Sequence, residues 1–478
     1  MPYEDLRDYL RTLESRDLLR WIDAEVDKDW EITSVTRLWF RRTPPETRPA
    51  LGFRHVKGFH TPVVVGTVSA SRLIYATALG IEPTMDAIIE AWRQALDCPL
   101  KPEVISGVAP CQEVILEGSQ VDLGSFPIPT WTPGQDPGPY ITAPCMVSKD
   151  PDGAYNVGIY RMQVKGPNRT GMLWDLPSQH GAMHYAQYES RGMSMPVAVV
   201  IGVDPTVLMA AAAKVPYGVD EFAVAGGLRK EPLPMVRCRT IDLMVPAGAE
   251  IVLEGEIKPN YRETEGPFGE YTGYMGGPYE LPVFEVKCIT HRTNPIYQAL
   301  FSQMPPSESS LLRQVPEEAN VYKHLVHSLR IPGIVDVHLP EAGGSYAILW
   351  VSMKTMYPGH AQQVLSAAWS HHPAFAKWVI VTDDDIDIRD PFQREWALSW
   401  RVEPKRDTFV LPNTSSLLLD PSPAPSDVPL WDRSRLSSKL CIDATKKHPY
   451  PNAAVPAREY LDRAEGNWDR YGLDYQRQ

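Results

Sequence analysis

Leu6, Leu10 and Leu13 recur at helical spacing, so the chain opens on an amphipathic helix. Three valines at 63–65 read as a buried strand, and Met85, Ile88, Ile89, Trp92 and Leu96 mark one face of a later helix. These signals predict an α/β unit over residues 1–120. Between 126 and 140 the rhythm stops: Pro127, Pro129, Pro133, Pro137 and Pro139 exclude a helix or a central strand, leaving a rigid extended connection. From 142 to 293 the pattern is mostly β, with segments at 155–164, 196–203, 235–240, 250–257 and 283–290, interrupted by helices after Pro205 and near Glu221. A mainly antiparallel sheet or split barrel fits residues 121–305. Beyond Glu308 helix and strand alternate, which predicts a further α/β unit over 306–450. In the last segment, 451–478, Leu461, Ala464 and Trp468 form an apolar face that needs cover from outside its own core.

Composition narrows the function. The 46 prolines among 478 residues are about twice ordinary usage and argue against an all-helical bundle. The net charge of -12 and the lack of a dense Lys/Arg cluster make nucleic acid a poor partner. No apolar stretch reaches the roughly 18 residues of a membrane span, and the first residues lack a basic and apolar leader, so a cytoplasmic protein is expected. Six scattered cysteines without a Cys-x-x-Cys pair indicate neither a disulfide framework nor zinc, and read as mostly buried thiols.

Two short blocks concentrate the chemistry. Tyr155 to Arg161 reads as a strand, on which Asn156, Gly158 and Tyr160 share one face and Val157, Ile159 and Arg161 the other, unless a bend intervenes. An arginine on an apolar face wants a carboxylate, because its planar fork matches one in two-point geometry and stays charged when desolvated. A structural ion pair is the plainer alternative. Partners stand in Glu265-Gly266-Pro267-Phe268-Gly269-Glu270, where two glycines and a proline force a tight path that can set both acids around one small volume. Two carboxylates beside one arginine can divide roles, one ionised and the other carrying a proton. Taken alone, such a segment is more often a turn with two solvated acids.

Other candidates are weaker. His180 and His184 stand four apart, but the usual Glu after the first His is missing and a capped or core histidine is the expected reading of either. Glu221 completes an Asn/His/Glu set with Asn156 and His180 that suits Mn²⁺ or Mg²⁺. Ala225-Gly226-Gly227 follows no strand and matches no nucleotide fingerprint. Asp383 to Asp387 reads as a solvated strand end with a metal site as the alternative, and Lys439 as an exposed loop lysine with phosphate as the alternative.

Taken in order, these pieces resemble the UbiD family of decarboxylases, which use prenylated FMN. The resemblance rests on Asn156-Val157-Gly158-Ile159-Tyr160-Arg161, Ser178-Gln179-His180, Asp220-Glu221, the Glu265 to Glu270 block, the 383–401 segment, and Lys439 ahead of Asp443-Ala444-Thr445. It implies an N-terminal α/β domain, a central split β-barrel flavin-binding domain, a C-terminal α/β domain and a terminal helix reaching a dimer partner. It implies that Asn156, His180 and Glu221 bind the divalent ion holding the flavin phosphate, with K⁺ near Glu221. Val157, Ile159, Tyr160, Gln179 and Lys439 join the cofactor contacts, and Arg161, Glu265 and Glu270 form the catalytic network. The residues from Trp174 to His180 depart from the family's W-x-x-H-K pattern. The implied reaction is reversible, non-oxidative decarboxylation of an aromatic, heteroaromatic or α,β-unsaturated acid through a covalent adduct with prenylated FMN, with Glu270 as proton donor. A flavin prenyltransferase would supply the cofactor. A flavin-free metal-dependent lyase or hydrolase, or an inactive subunit of a carboxylase complex, are the alternatives.

Overall fold

The computed structural model describes residues 3–174, 179–372, 375–417, 419–423 and 436–472. The opening helix, Leu6–Ser15, is capped by Asp5, whose carboxylate accepts the Asp8 N–H, and it buries Leu6, Tyr9, Leu10 and Leu13. Strands Leu19–Val26, Ala50–Val56 and Val63–Val65 form a mixed sheet whose fourth strand, Tyr297–Ala299, pairs parallel with the valine strand. That last strand returns from the far end of the central unit. One hydrophobic core accordingly runs unbroken from Leu6 to Phe284 and on to Leu312 and Val315.

The central sheet has nine strands, antiparallel throughout, in the order Tyr140–Ile141, Met162–Gly166, Arg169–Gly171, Tyr279–His291, Ile251–Glu265, Met195–Ile201, Cys145–Lys149 and Tyr155–Ile159, with Val114–Glu117 added beside Tyr279–His291. Tyr155–Ile159 closes one edge, and the next strand in sequence, Met162–Gly166, stands one place from the opposite edge. Six strand spacings of about 4.8 Å would separate them in a flat sheet, roughly 29 Å. Two linking residues, Tyr160 and Arg161, span at most about 11 Å. The sheet must therefore curl until its edges meet, and Arg161 lies at the seam. The expected single strand over 155–164 is broken there, so the predicted alternation of faces ends at Ile159.

Helices Pro205–Ala212 and Glu221–Arg229 stand where the sequence predicts them. Helix Glu308–Lys323 leads into a five-stranded mixed sheet ordered Ile334–His338, Ile348–Met353, Trp378–Asp383, Leu436–Ala444 and Thr408–Ser415. Alternate residues feed separate cores on its two faces: Leu349, Val351, Val379 and Val381 on one, Trp350, Ile380 and Ile442 on the other. The acidic run after this strand is not simply solvated, because Arg401 bonds Asp383 and Asp385 and Lys446 bonds both as well. The terminal helix Arg458–Gly466 buries none of its residues. Among the described residues no helix is long and apolar enough to cross a membrane.

Glu308 joins the C-terminal unit to the rest. Fully buried, it accepts N–H bonds from Gly66 (2.8 Å), Phe301 (3.2 Å) and Val68 (3.4 Å). Burial outweighs these bonds and lifts its carboxyl from 4.5 to about 7. The protonated form is thus favoured in the fold, and its stabilisation is full below the unfolded value and lost as pH rises through about 7. Glu308→Gln removes that dependence. The melting temperature of the variant minus that of the wild type should rise by about 2 °C or more between pH 5 and pH 8; a constant difference across this range counts against the assignment.

Candidate active site and metal-binding residues

Arg161, at the seam, is nine-tenths buried and held from two sides. Its Nε and Nη2 donate to the two oxygens of Glu265 at 3.2 and 2.9 Å, a two-point pairing with a carboxylate that is wholly buried. Its Nη1 meets one oxygen of Glu270. The Phe268 ring lies 4.8 Å from the guanidinium and 4.4 Å from the Tyr140 ring, so the charge is walled by aromatic surface.

Local geometry explains how one short block delivers both acids. Strand Ile251–Glu265 ends on Glu265, and Gly266 then takes a φ of +97°, which disfavours any side chain. Its N–H donates to Gln163 Oε1 (3.2 Å), and the Tyr140 hydroxyl donates to the Pro267 carbonyl (3.3 Å). Phe268–Gly269 pairs with Met275–Gly276, which turns the chain so that Glu270 faces back toward Arg161. Space is tight: a Cβ on Gly171 would stand 2.8 Å from Glu265 Cγ, and one on Gly276 would stand 2.9 Å from Glu270 Cγ.

A second set forms near the other end of strand Tyr155–Ile159. Asn156 is buried, and Glu221 Oε2 accepts the Val157 N–H at 3.0 Å. Glu221 stands in the first turn of its helix, capped by Asp220, where the helix dipole favours a carboxylate. Its other oxygen is 3.8 Å from His180 Nδ1. Donors about 2.1 Å from a shared small divalent ion stand between about 3 and 4.2 Å apart according to their angle, so this gap fits one ion. The buried amide nitrogen of Asn156 has no hydrogen-bond partner, nor has the Gln179 carbonyl oxygen. Among the described residues no three of His, Cys, Asp or Glu converge on their own; two such residues and an amide make this set, and they fit a hard divalent ion.

The remaining predicted residues divide. Tyr160 accepts the Gly181 N–H through its hydroxyl (3.3 Å) and packs edge-on to Trp174, which places it beside the start of the His180 helix. His184 is a core histidine: its Nδ1 meets Ser148 Oγ at 3.0 Å, and burial pulls it down to about 4. Lys439 is neither in a loop nor exposed. It lies buried in strand Leu436–Ala444, donates to the Phe375 carbonyl, packs against Trp369 and is lowered to about 8 by burial. Residues 175–178 of the departing segment, Ser178 included, lie outside the described residues. Four of the six cysteines are buried; Cys98 is exposed and Cys238 half-buried. Tyr140 and Gln163, which hold the turn, were not singled out by sequence, since each makes its contact more than a hundred residues away.

A polar cleft of about 330 Å³ opens between Lys214 and helix Glu308–Lys323, lined also by Glu317, His371 and His372. The Tyr346 hydroxyl bridges Lys214 and His372 at 3.3 and 3.2 Å.

The whole arrangement has known counterparts. The sequence matches the domains described for 3-octaprenyl-4-hydroxybenzoate carboxy-lyase: the N-terminal domain over residues 10–92, the Rift-related domain over 103–305 and the C-terminal domain over 310–444. The chain belongs to the UbiD family of carboxy-lyases. The UbiD-class enzyme HmfF from Pelotomaculum thermopropionicum, solved in complex with FMN, is 34% identical with a TM-score of 0.85, covering 96% of this chain and 99% of that one. An evolved dimeric form of the same enzyme was solved with prFMN. Vanillic acid decarboxylase of Sedimentibacter hydroxybenzoicus is 30% identical with a TM-score of 0.83, covering 99% and 100%. The 3,4-dihydroxybenzoic acid decarboxylase of Klebsiella pneumoniae is 28% identical with a TM-score of 0.81, covering 96% and 99%. This UbiD chain is therefore an enzyme of the carboxy-lyase class, with the family's three-part mixed α/β fold.

The packing around Glu265 gives a direct test. Gly171→Ala should push this carboxylate off Arg161 at a cost of about 1–3 kcal/mol of stability, with activity falling at least about tenfold in a protein that still folds. Circular dichroism and turnover measured together check it. Wild-type turnover would mean that the Glu265 grip on Arg161 is not needed.

Proposed function

We propose that this UbiD chain is a reversible, non-oxidative decarboxylase of an aromatic, heteroaromatic or α,β-unsaturated carboxylic acid, that it works with prenylated FMN, and that Glu270 is its proton donor. The observation that carries this reading is the unequal hold of two carboxylates on one buried guanidinium. Glu265 gives both oxygens to Arg161 and is sealed, whereas Glu270 offers one and keeps some exposure at a tight turn. Prenylated FMN, when bound, supplies the electron sink that no side chain offers for the carbanion left when CO₂ departs from an sp² carbon.

The chain's own residues do the rest. Asn156, His180 and Glu221 would hold Mn²⁺ or Mg²⁺, whose charge would favour a cofactor phosphate, and Glu221 would also offer a carboxylate to K⁺. Gln179, Val157, Ile159 and Tyr160 would join the cofactor contacts. Arg161, fixed by Glu265, orients the substrate's carboxylate. Glu270 delivers its proton to the carbon that CO₂ leaves and takes a new one from solvent, so each turnover converts one carboxylate and one proton into product and CO₂. The named activities of the UbiD relatives support this reading.

General acid catalysis contributes about 10²- to 10⁴-fold, so Glu270→Gln should lower turnover at least about a hundredfold with flavin still bound, and wild-type product made in D₂O should carry deuterium at the former carboxyl carbon. Near wild-type turnover in that variant would remove Glu270 as the acid. For the anchor, Glu221→Ala should fold but lose the visible flavin spectrum after co-expression with a flavin prenyltransferase. Undiminished flavin content would overturn the metal assignment.

We further propose a homodimer, or a higher homo-oligomer, in which the segment after Ala454 packs on a second copy. Tyr460, Leu461, Trp468 and Tyr471 all face solvent in the single chain, and such aromatic surface calls for cover. Removing residues 455–478 should give monomers or aggregates by light scattering. A soluble, active dimer of the truncated chain would contradict the proposal.

A further inference from the structure

The segment that carries Glu270 is a small one. Phe268–Gly269 and Met275–Gly276 pair over only two residues each, and a two-stranded ribbon of that length has little stability of its own. Inside it residues 270–274 close on themselves: the Glu270 N–H donates to the Tyr274 carbonyl and the Gly273 N–H to the Glu270 carbonyl, both at 2.9 Å. Contacts from outside the ribbon must hold this loop if Glu270 is to keep its place at Arg161. The residue after the acid provides them. The guanidinium of Arg313 lies over the Tyr271 ring, 4.2 Å from its centre, close enough for the charge to be attracted to the aromatic face. Tyr271 also abuts Gly344, where a Cβ would stand 2.6 Å from Tyr271 Cδ2 and 2.9 Å from the Tyr271 carbonyl oxygen. Gly344 takes a φ of +63°, so conformation as well as space favours glycine there. Arg313 Nη1 donates to the Gly344 carbonyl at 3.0 Å, which closes the three residues into a clamp.

We infer that Arg313 is a positioning residue for the proton donor: by gripping Tyr271 it fixes the loop that aims Glu270 at the reacting carbon. The inference rests on the reading of Glu270 as the acid. Arg313 acts at one remove, on the neighbour of the acid. It stands in the second turn of helix Glu308–Lys323, whose first residue, Glu308, binds the amides of Gly66, Val68 and Phe301. The clamp is thus rooted in a helix tied to the N-terminal unit, while it holds a loop of the central one. On the other side of the loop a Cβ on Gly273 would stand 3.2 Å from Met304 Cγ, so the loop has packing there too. A guanidinium suits the task better than an ammonium, because its plane can stack on a ring while an N–H at its edge still reaches a carbonyl. Position matters because displacing a catalytic group by about 1 Å can cost about a hundredfold in rate.

Arg313→Met tests this in the holoenzyme, since it keeps an apolar stem of similar reach and removes the charge and the donor. It should lower kcat about tenfold or more, with KM within about twofold of wild type and flavin content unchanged. Tyr271→Leu should do the same, whereas Tyr271→Phe, which keeps the ring, should hold kcat within about threefold of wild type. Combining Arg313→Met with Tyr271→Leu should lower kcat no further than either change alone, because the two side chains act as one unit. In protein without cofactor, hydrogen exchange at the Glu270 and Gly273 amides should quicken about fivefold or more in Arg313→Met, while strand Tyr155–Ile159 exchanges as in the wild type. Arg313→Gln repeats both measurements should Met perturb the helix. Additive losses in the double variant, a raised KM at constant kcat, or unchanged exchange in the loop would overturn the proposal. So would a loss in Tyr271→Phe as deep as in Tyr271→Leu, which would move the role from the ring to its hydroxyl. Full activity of Glu270→Gln would instead overturn the assignment of the acid and leave the exchange result standing, so the two failures are distinguishable.

Discussion

Everything near the seam depends on keeping one guanidinium charged and fixed inside the protein. An unpaired charge at that depth would cost several kcal/mol, and its partner carboxylate would be as costly alone. Arg161 and Glu265 solve both problems at once through a two-point contact, in which each group satisfies the other's geometry as well as its charge. Glu270 is then free of the structural duty. It meets an arginine that already has a carboxylate partner.

The curl of the central sheet is the mechanical side of the same constraint. A two-residue link between strands near opposite edges forces the sheet to close on itself, and the residue at the closure is Arg161. The Glu265 strand runs through the middle of that sheet, so the ion pair ties the centre to the seam. Around it, the N-terminal sheet takes its fourth strand from residues 297–299, and Glu308 binds three backbone amides from outside the C-terminal unit. The acid turn is thereby held by elements drawn from a long stretch of sequence.

The two polar sets are separated by a single strand. Asn156 stands near the start of Tyr155–Ile159 and Arg161 just after its end, about 17 Å along an extended chain. The strand thus sets the spacing between the two sets.

Much of this was legible in the chain itself. The opening leucines, the valine strand, the helices at Pro205 and Glu221 and the strand-rich middle follow from periodicity and turn residues, which are local properties. Glycine and proline around Glu265 and Glu270 restrict the backbone enough to announce a purposeful turn, and the two motif blocks carried the UbiD resemblance. What sequence left open was which groups meet. The break at Tyr160, the burial of Lys439, the pairing of Asp383 and Asp385 with Arg401, and the approach of Thr132 to Gly269 in the acid turn each depend on partners far away in sequence. Local pattern fixes which faces are apolar and where the backbone can turn. Burial, charge pairing and the seam arise only when distant segments close together, because a desolvated charge acquires its partner, and hence its chemistry, from the tertiary fold.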